Sequence, residues 1–121
     1  MLLFHLHMEF EPPAYDEAAA VLRTLVGPVR SERGCRATRL LTSEADECKL
    51  TWVEEWSGVE DFEGHLRGAT FRRILAVIEL AAKRPVIDID DVASRRGFDL
   101  VEEVLGVSRP DGREIESGGD L

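Results

Sequence analysis

The stretch Leu2-Leu3-Phe4-His5-Leu6-His7-Met8-Glu9-Phe10-Glu11-Pro12-Pro13 decides how this chain folds. Leu2, Phe4, Leu6, Met8 and Phe10 alternate with Leu3, His5, His7 and Glu9. Period two over nine residues predicts a β-strand whose even face is wholly apolar. Pro12-Pro13 ends the strand and opens a helix, because proline is tolerated in a first helical turn. Asp16 and Glu17 are then expected where the helix dipole favours anions. Tyr15, Ala18, Ala19, Leu22, Leu25 and Val26 follow helical spacing and define one buried stripe. Gly27-Pro28 predicts a kink or break. Val29 to Arg33 extends the helix by one turn, and Gly34 is a suitable C-terminal stop.

Working outward, Cys35 to Thr42 reads as a second strand, Ser43 to Glu47 as a polar loop, and Lys49 to Trp56 as a third strand placed for a hairpin with the second. Ser57 and Glu60 are spaced as a capping box for a second helix reaching about Ala82. Its expected buried side is Phe62, Leu66, Ile74, Leu75, Ile78 and Ala81. Gly64 and Gly68 weaken its first turns, which predicts a short helix and a bend. Pro85 stops it. Val86 to Arg95 reads as a fourth strand and Gly97 to Leu105 as a short terminal helix. The order strand, helix, strand, strand, helix, strand is the ferredoxin-like βαββαβ arrangement, an α+β fold with two helices on one face of an antiparallel four-stranded sheet. Residues 1–106 form the expected domain, with no internal repeat. Residues 107–121 hold few apolar side chains and are expected to be a mobile polar tail.

The first strand should be central in this topology, so Leu3, His5 and His7 should mark a helix-free sheet face of mixed character. A homodimer is the simplest way to cover it. The chain has 121 residues and a net charge of −9, which argues against nucleic acid or an anionic membrane as main partner. No apolar run approaches the roughly 20 residues of a membrane span, and the N-terminus reads as structure, not as a cleaved signal. Cys35 and Cys48 are too few for a disulfide framework, so a reducing cytoplasm is the default expectation. There is no Asn and no Gln, so no mechanism that needs a side-chain amide can operate here.

Glu54-Glu55-Trp56-Ser57, Phe62, Gly64-His65-Leu66-Arg67 and Phe71-Arg72-Arg73-Ile74-Leu75 together resemble the antibiotic biosynthesis monooxygenase domain. Leu25-Val26-Gly27-Pro28, Gly34-Cys35 and the run Arg96 to Glu103 add to the likeness, which spans about Leu2 to Gly106. The resemblance implies a ferredoxin-like protomer that pairs into a dimeric α+β barrel. Some members of that family oxygenate aromatic polyketides or quinols with dioxygen and no bound cofactor, and others degrade heme. The heme degraders use an Asn, a Trp and a heme-ligating His. This chain has no Asn, and the position of that His falls near Leu75, so the resemblance argues against heme degradation. The polyketide oxygenases place an Asn and a Tyr beside the Trp. Trp56 carries over, and the polar partners do not.

Trp56 and His65 are the leading candidates, on a strand end and on the helix that follows. His moves protons near neutral pH, and Trp can stack on a flat aromatic substrate. The plainer reading makes both of them core residues. Trp52 shares a strand face with Trp56, with Glu54 between them. A carboxylate between two indoles is a candidate acid or base; its plainer reading is a partly exposed strand carboxylate paired with one of the many arginines. Phe62 is a further candidate for the substrate wall. His5 and His7 share a strand face, but no third metal ligand accompanies them and no metal site is expected. Asp88, Asp90 and Asp91 read as a solubilising edge strand.

The resulting expectation is a cofactor-independent monooxygenase of a small quinol or polycyclic phenol, with catalytic His65 and Glu54, substrate-binding Trp52, Trp56 and Phe62, and neither cofactor nor metal. Its rival is a non-catalytic dimeric module that binds a small aromatic ligand or stabilises an assembly. A pocket reaching Trp56 and His65 favours the enzyme or a ligand-binding module; a solid core there favours a purely structural one.

Overall fold

The computed structural model describes residues 1–106. The expected tail, residues 107–121, lies outside the described residues. The alternating segment is strand β1 (Leu2–Glu9), and helix α1 (Pro12–Arg30) follows it. The hairpin strands are β2 (Cys35–Thr42) and β3 (Lys49–Trp56). Helices α2 (Val59–Leu66) and α3 (Ala69–Ile78), strand β4 (Val86–Asp91) and helix α4 (Phe98–Leu105) complete the order.

One antiparallel sheet runs β2-β3-β1-β4. The fold is α+β and ferredoxin-like, as expected, with β1 in the interior of the sheet. Register sets the two faces. Leu2, Phe4 and Leu6 of β1 lie opposite Trp56, Glu54 and Trp52 of β3, so these six side chains share one face. The helices cover that face. Leu2, Phe4, Leu6, Met8, Trp52 and Trp56 are buried there against Ala18, Ala19, Leu22, Leu25 and Val29 of α1 and Phe71, Ile74 and Val77 of α3.

Helix α1 does not break at Gly27-Pro28. Pro28 cannot bond the Thr24 carbonyl, but Thr24, Gly27 and Pro28 are all exposed, so the missing bond falls on the solvent side of the helix. Leu25 and Val29, both fully buried, hold the helix to the sheet across the gap. Its first turn contains no acid, since the helix starts at Pro12 and Asp16 and Glu17 fall beyond that turn. The capping box is also absent. Gly58 is the N-cap of α2, and the Ser57 amide is spent on the Gly34 carbonyl at 2.8 Å.

The second helix bends at Arg67-Gly68 into α2 and α3 and ends at Ile78, short of Ala82. Leu75, expected inside, is 45% exposed, because α3 turns Phe71, Ile74 and Val77 inward. Strand β4 is shorter than expected and exposed along its length, at the sheet edge. Helix α4 buries none of its residues, and Leu100, Val101, Val104 and Leu105 stay exposed.

On the helix-free face, Leu3 and His5 are half-buried and His7 is exposed. His7 lies 3.2 Å from both Thr51 Oγ1 and Asp88 Oδ2. Glu55 is nearly buried on the same face beneath Arg95, which donates to it at 2.9 Å.

Candidate functional site

Strand β3 supplies the centre of the site. Its alternation sends Trp52, Glu54 and Trp56 to the helix side, so a carboxylate enters the core between two indoles. An indole N–H can only donate, and both donate to Glu54: Trp52 Nε1 to Oε2 at 2.7 Å and Trp56 Nε1 to Oε1 at 2.9 Å. Helix α2 brings the third partner. His65 Nε2 lies 2.9 Å from Glu54 Oε2. Both Glu54 oxygens already accept from indoles, so Nε2 is taken as the donor. Glu54 is fully buried and His65 is 2% exposed. The expectation of an Arg-paired, partly exposed Glu54 is thus overturned. Its neighbour Glu55, on the opposite face, takes Arg95 and Arg39.

The other nitrogen of His65 faces a residue that the sequence did not single out. Glu32 sits in the turn after α1, 33 positions before His65, with its oxygens 2.9 and 3.1 Å from Nδ1. The turn is firmly built. Glu32 N–H donates to the Val29 carbonyl and Cys35 N–H to the Glu32 carbonyl. Gly34 takes φ +82, a conformation favouring glycine, and a Cβ there would run into the side chain of Asp61. Asp61 and His65 lie one turn apart on α2. One face of that helix therefore meets the whole turn.

Burial works against a charged His65, but hydrogen bonds and charge from Glu54, then Glu32, outweigh it and raise its pKa. Aromatic rings close the rest. Trp56 and Phe71 lie 4.8 and 5.4 Å from the His65 ring, centroid to centroid, and Phe62 lies 6.2 Å from Trp56. The structure therefore brings together Trp52, Glu54, Trp56, Phe62 and His65. It adds Glu32, which no local pattern marked, and Phe71, which stood in the family motif but was not expected in the site.

The family model for antibiotic biosynthesis monooxygenases matches residues 1–77. The chain belongs to that family. No curated protein matches it. Solved structures share its fold at low identity. A Deinococcus radiodurans protein assigned to the antibiotic biosynthesis monooxygenases is 16% identical over 78% of this chain and 95% of its own, with a TM-score of 0.72. Rv0793 from Mycobacterium tuberculosis is 19% identical over 78% of this chain and 96% of its own, TM-score 0.71. PA3566 from Pseudomonas aeruginosa is 24% identical over 77% and 94%, TM-score 0.68.

The larger described cavity, about 440 Å³, lies elsewhere, at the hairpin end of the sheet, where His7, Leu41, Lys49, Thr51, Arg84 and Val86 line it. Neither it nor the 230 Å³ cavity near Met1 and Arg95 reaches Trp56 or His65. Among the described residues, His65 and Glu54 are buried and neither cavity opens on them. His5 and His7 stand with parallel rings 6.1 Å apart. No group of three or more His, Cys, Asp or Glu suited to a metal occurs among the described residues. Cys35 and Cys48 are both free thiols. No described helix is long and apolar enough to cross a membrane.

Proposed function

We propose that this member of the family is a cofactor-independent monooxygenase acting on a small quinol or polycyclic phenol. One observation carries the reading: a fully buried carboxylate hydrogen-bonded to two indoles and an imidazole. Withdrawing such ions from water costs several kcal/mol per ion before attraction is counted. Packing alone is served as well by apolar side chains, whereas perturbed ionisable clusters concentrate at functional sites.

His65 is the proton acceptor and Glu54 its orienting partner. Trp56, Phe62 and Trp52 form the aromatic wall. Deprotonation makes the substrate electron-rich enough to meet dioxygen. One oxygen atom enters the product and the other leaves as water, the substrate supplying all the electrons. No metal or organic cofactor is invoked. Oxygen uptake with a quinol panel tests this. His65→Ala should lower uptake about a hundredfold or more with the fold retained, and Trp56→Phe should mainly raise KM. Retained uptake in His65→Ala would move the proton to Glu54.

A second reading is a non-catalytic dimeric module, favoured by the closure of the cluster in the protomer. No uptake by the parent with any quinol would select it. In either case we propose a homodimer through the helix-free face of Leu3, His5 and His7, in a reducing cytoplasm. The half-buried Leu3 and His5 support that face, and the two free thiols support that compartment. Light scattering at micromolar concentration that returned a monomer would remove the dimer.

A further inference from the structure

Nε2 of His65 is committed to Glu54, whose oxygens also hold both indoles. Freeing that nitrogen would strand buried donors. Nδ1 is different. Its partner Glu32 has a side chain 29% exposed, while those of His65 and Glu54 are 0% exposed. Rotation of one side chain at the surface releases Nδ1 and leaves the buried bonds intact. The backbone around Glu32 need not move, because Gly34 and Asp61 fix that turn against α2. The His65 ring as a whole packs against two aromatic rings, Trp56 and Phe71.

We propose that Nδ1 of His65 is the ligand-accepting atom of this site and that Glu32 is its latch, holding the place that a phenolic hydroxyl takes when a ligand enters between the 31–34 turn and α2. The proposal rests on the aromatic-substrate reading above and names the atom at which that substrate docks. Its proton count closes. In the latched state one proton lies between Nδ1 and the Glu32 carboxylate. Glu32 leaves as the carboxylate; without its charge and hydrogen bond the imidazolium gives the Nδ1 proton to water, so Nδ1 keeps a free lone pair. The hydroxyl of the ligand gives its proton to Nδ1 and remains as a phenolate beside the imidazolium. The Nε2–H bond to Glu54 is unchanged throughout.

Trp52 and Trp56 are the only tryptophans of the chain, so tryptophan fluorescence excited clear of Tyr15 reports on this site alone. Full-length protein and the variants Glu32→Ala and Glu32→Gln are compared, with thermal melting to confirm the fold. Three readouts are followed: acrylamide quenching, acylation of the His65 peptide by diethyl pyrocarbonate mapped by mass, and binding of 4-nitrophenol by absorbance. Losing a charge-assisted hydrogen bond should speed His65 acylation about tenfold or more in Glu32→Ala. Quenching should rise, and 4-nitrophenol should bind more tightly than in the parent, with Glu32→Gln between. A folded variant whose His65 stays as unreactive as in the parent overturns the latch, even where 4-nitrophenol binds, and leaves the proposed function standing. Faster acylation with no 4-nitrophenol binding in any form overturns the phenolic assignment here and in the proposed function alike. Should Glu32→Ala fail to fold, Glu32→Gln alone decides.

Discussion

Oε2 of Glu54 and Nε2 of His65 stand 2.9 Å apart with both side chains wholly withdrawn from water. They come from different elements, β3 and α2, and neither has a solvent path of its own. The carboxylate accepts three N–H groups, and every buried side-chain polar atom among the described residues has a partner. Satisfied networks of this kind rigidify a core, and a single deletion strands the remaining donors.

Glu54→Gln should therefore destabilise the fold although it is nearly isosteric. The amide nitrogen turns a donor toward an indole or the imidazole, leaving buried donors face to face. The expected loss is about 3–5 kcal/mol, the range for removing one partner of a buried pair. Urea unfolding measures it, and a change below about 1 kcal/mol would mean that the pair is hydrated in solution.

The raised pKa of His65 gives a pH dependence of definite sign. Its folded value lies above the ordinary 6.5, so the charged form is favoured by folding. The stabilisation is complete below the unfolded value and is lost as pH rises through the folded value. The stability difference between the parent and His65→Ala should therefore shrink as pH rises from below 6.5. Paired urea titrations across that range check it; a difference that grew with pH would reverse the sign of the coupling.

Glu55 behaves the opposite way. The hydrogen bond from Arg95 comes first in holding its carboxyl below the ordinary range, with the charges of Arg95 and Arg39 adding to it against burial. A depressed pKa contributes stability above the unfolded value, and that contribution disappears as pH falls through the folded one. Arg95→Ala should move the acid-unfolding midpoint upward. At neutral pH it should cost about 1 kcal/mol or less, since the guanidinium is half exposed. Circular dichroism during acid titration reads the midpoint.

Gly34→Ala should be costly for two reasons that act together. A positive φ costs an L-residue about 1–2 kcal/mol, and the new methyl meets the Asp61 side chain. The turn must then shift away from α2 and carry Glu32 off His65. The expected outcome is a lower Tm together with stronger acrylamide quenching of the two tryptophans. A lower Tm with unchanged quenching would mean that the turn and the site are independent.

The sequence alone determined the sheet and its polarity. Nine residues of strict alternation in β1, closed by Pro12-Pro13, leave one answer for that strand, because each side chain of a strand has only two faces to choose from. The same periodicity put Trp52, Glu54 and Trp56 on one face and Glu55 on the other. It could not say which face the helices would cover, so Glu54 looked like a surface carboxylate. Helix α1 passed through Gly27-Pro28 because the buried Leu25 and Val29 outweigh one missing hydrogen bond, a balance that only packing sets. The capping box failed because the Ser57 amide had a tertiary partner in Gly34. Glu32 was not legible at all. Its neighbours Ser31 and Arg33 form no pattern, and its role exists only because a turn after α1 and a turn of α2, distant in sequence, meet in space. Local periodicity fixes which way a side chain points; what it meets there is decided by the tertiary fold.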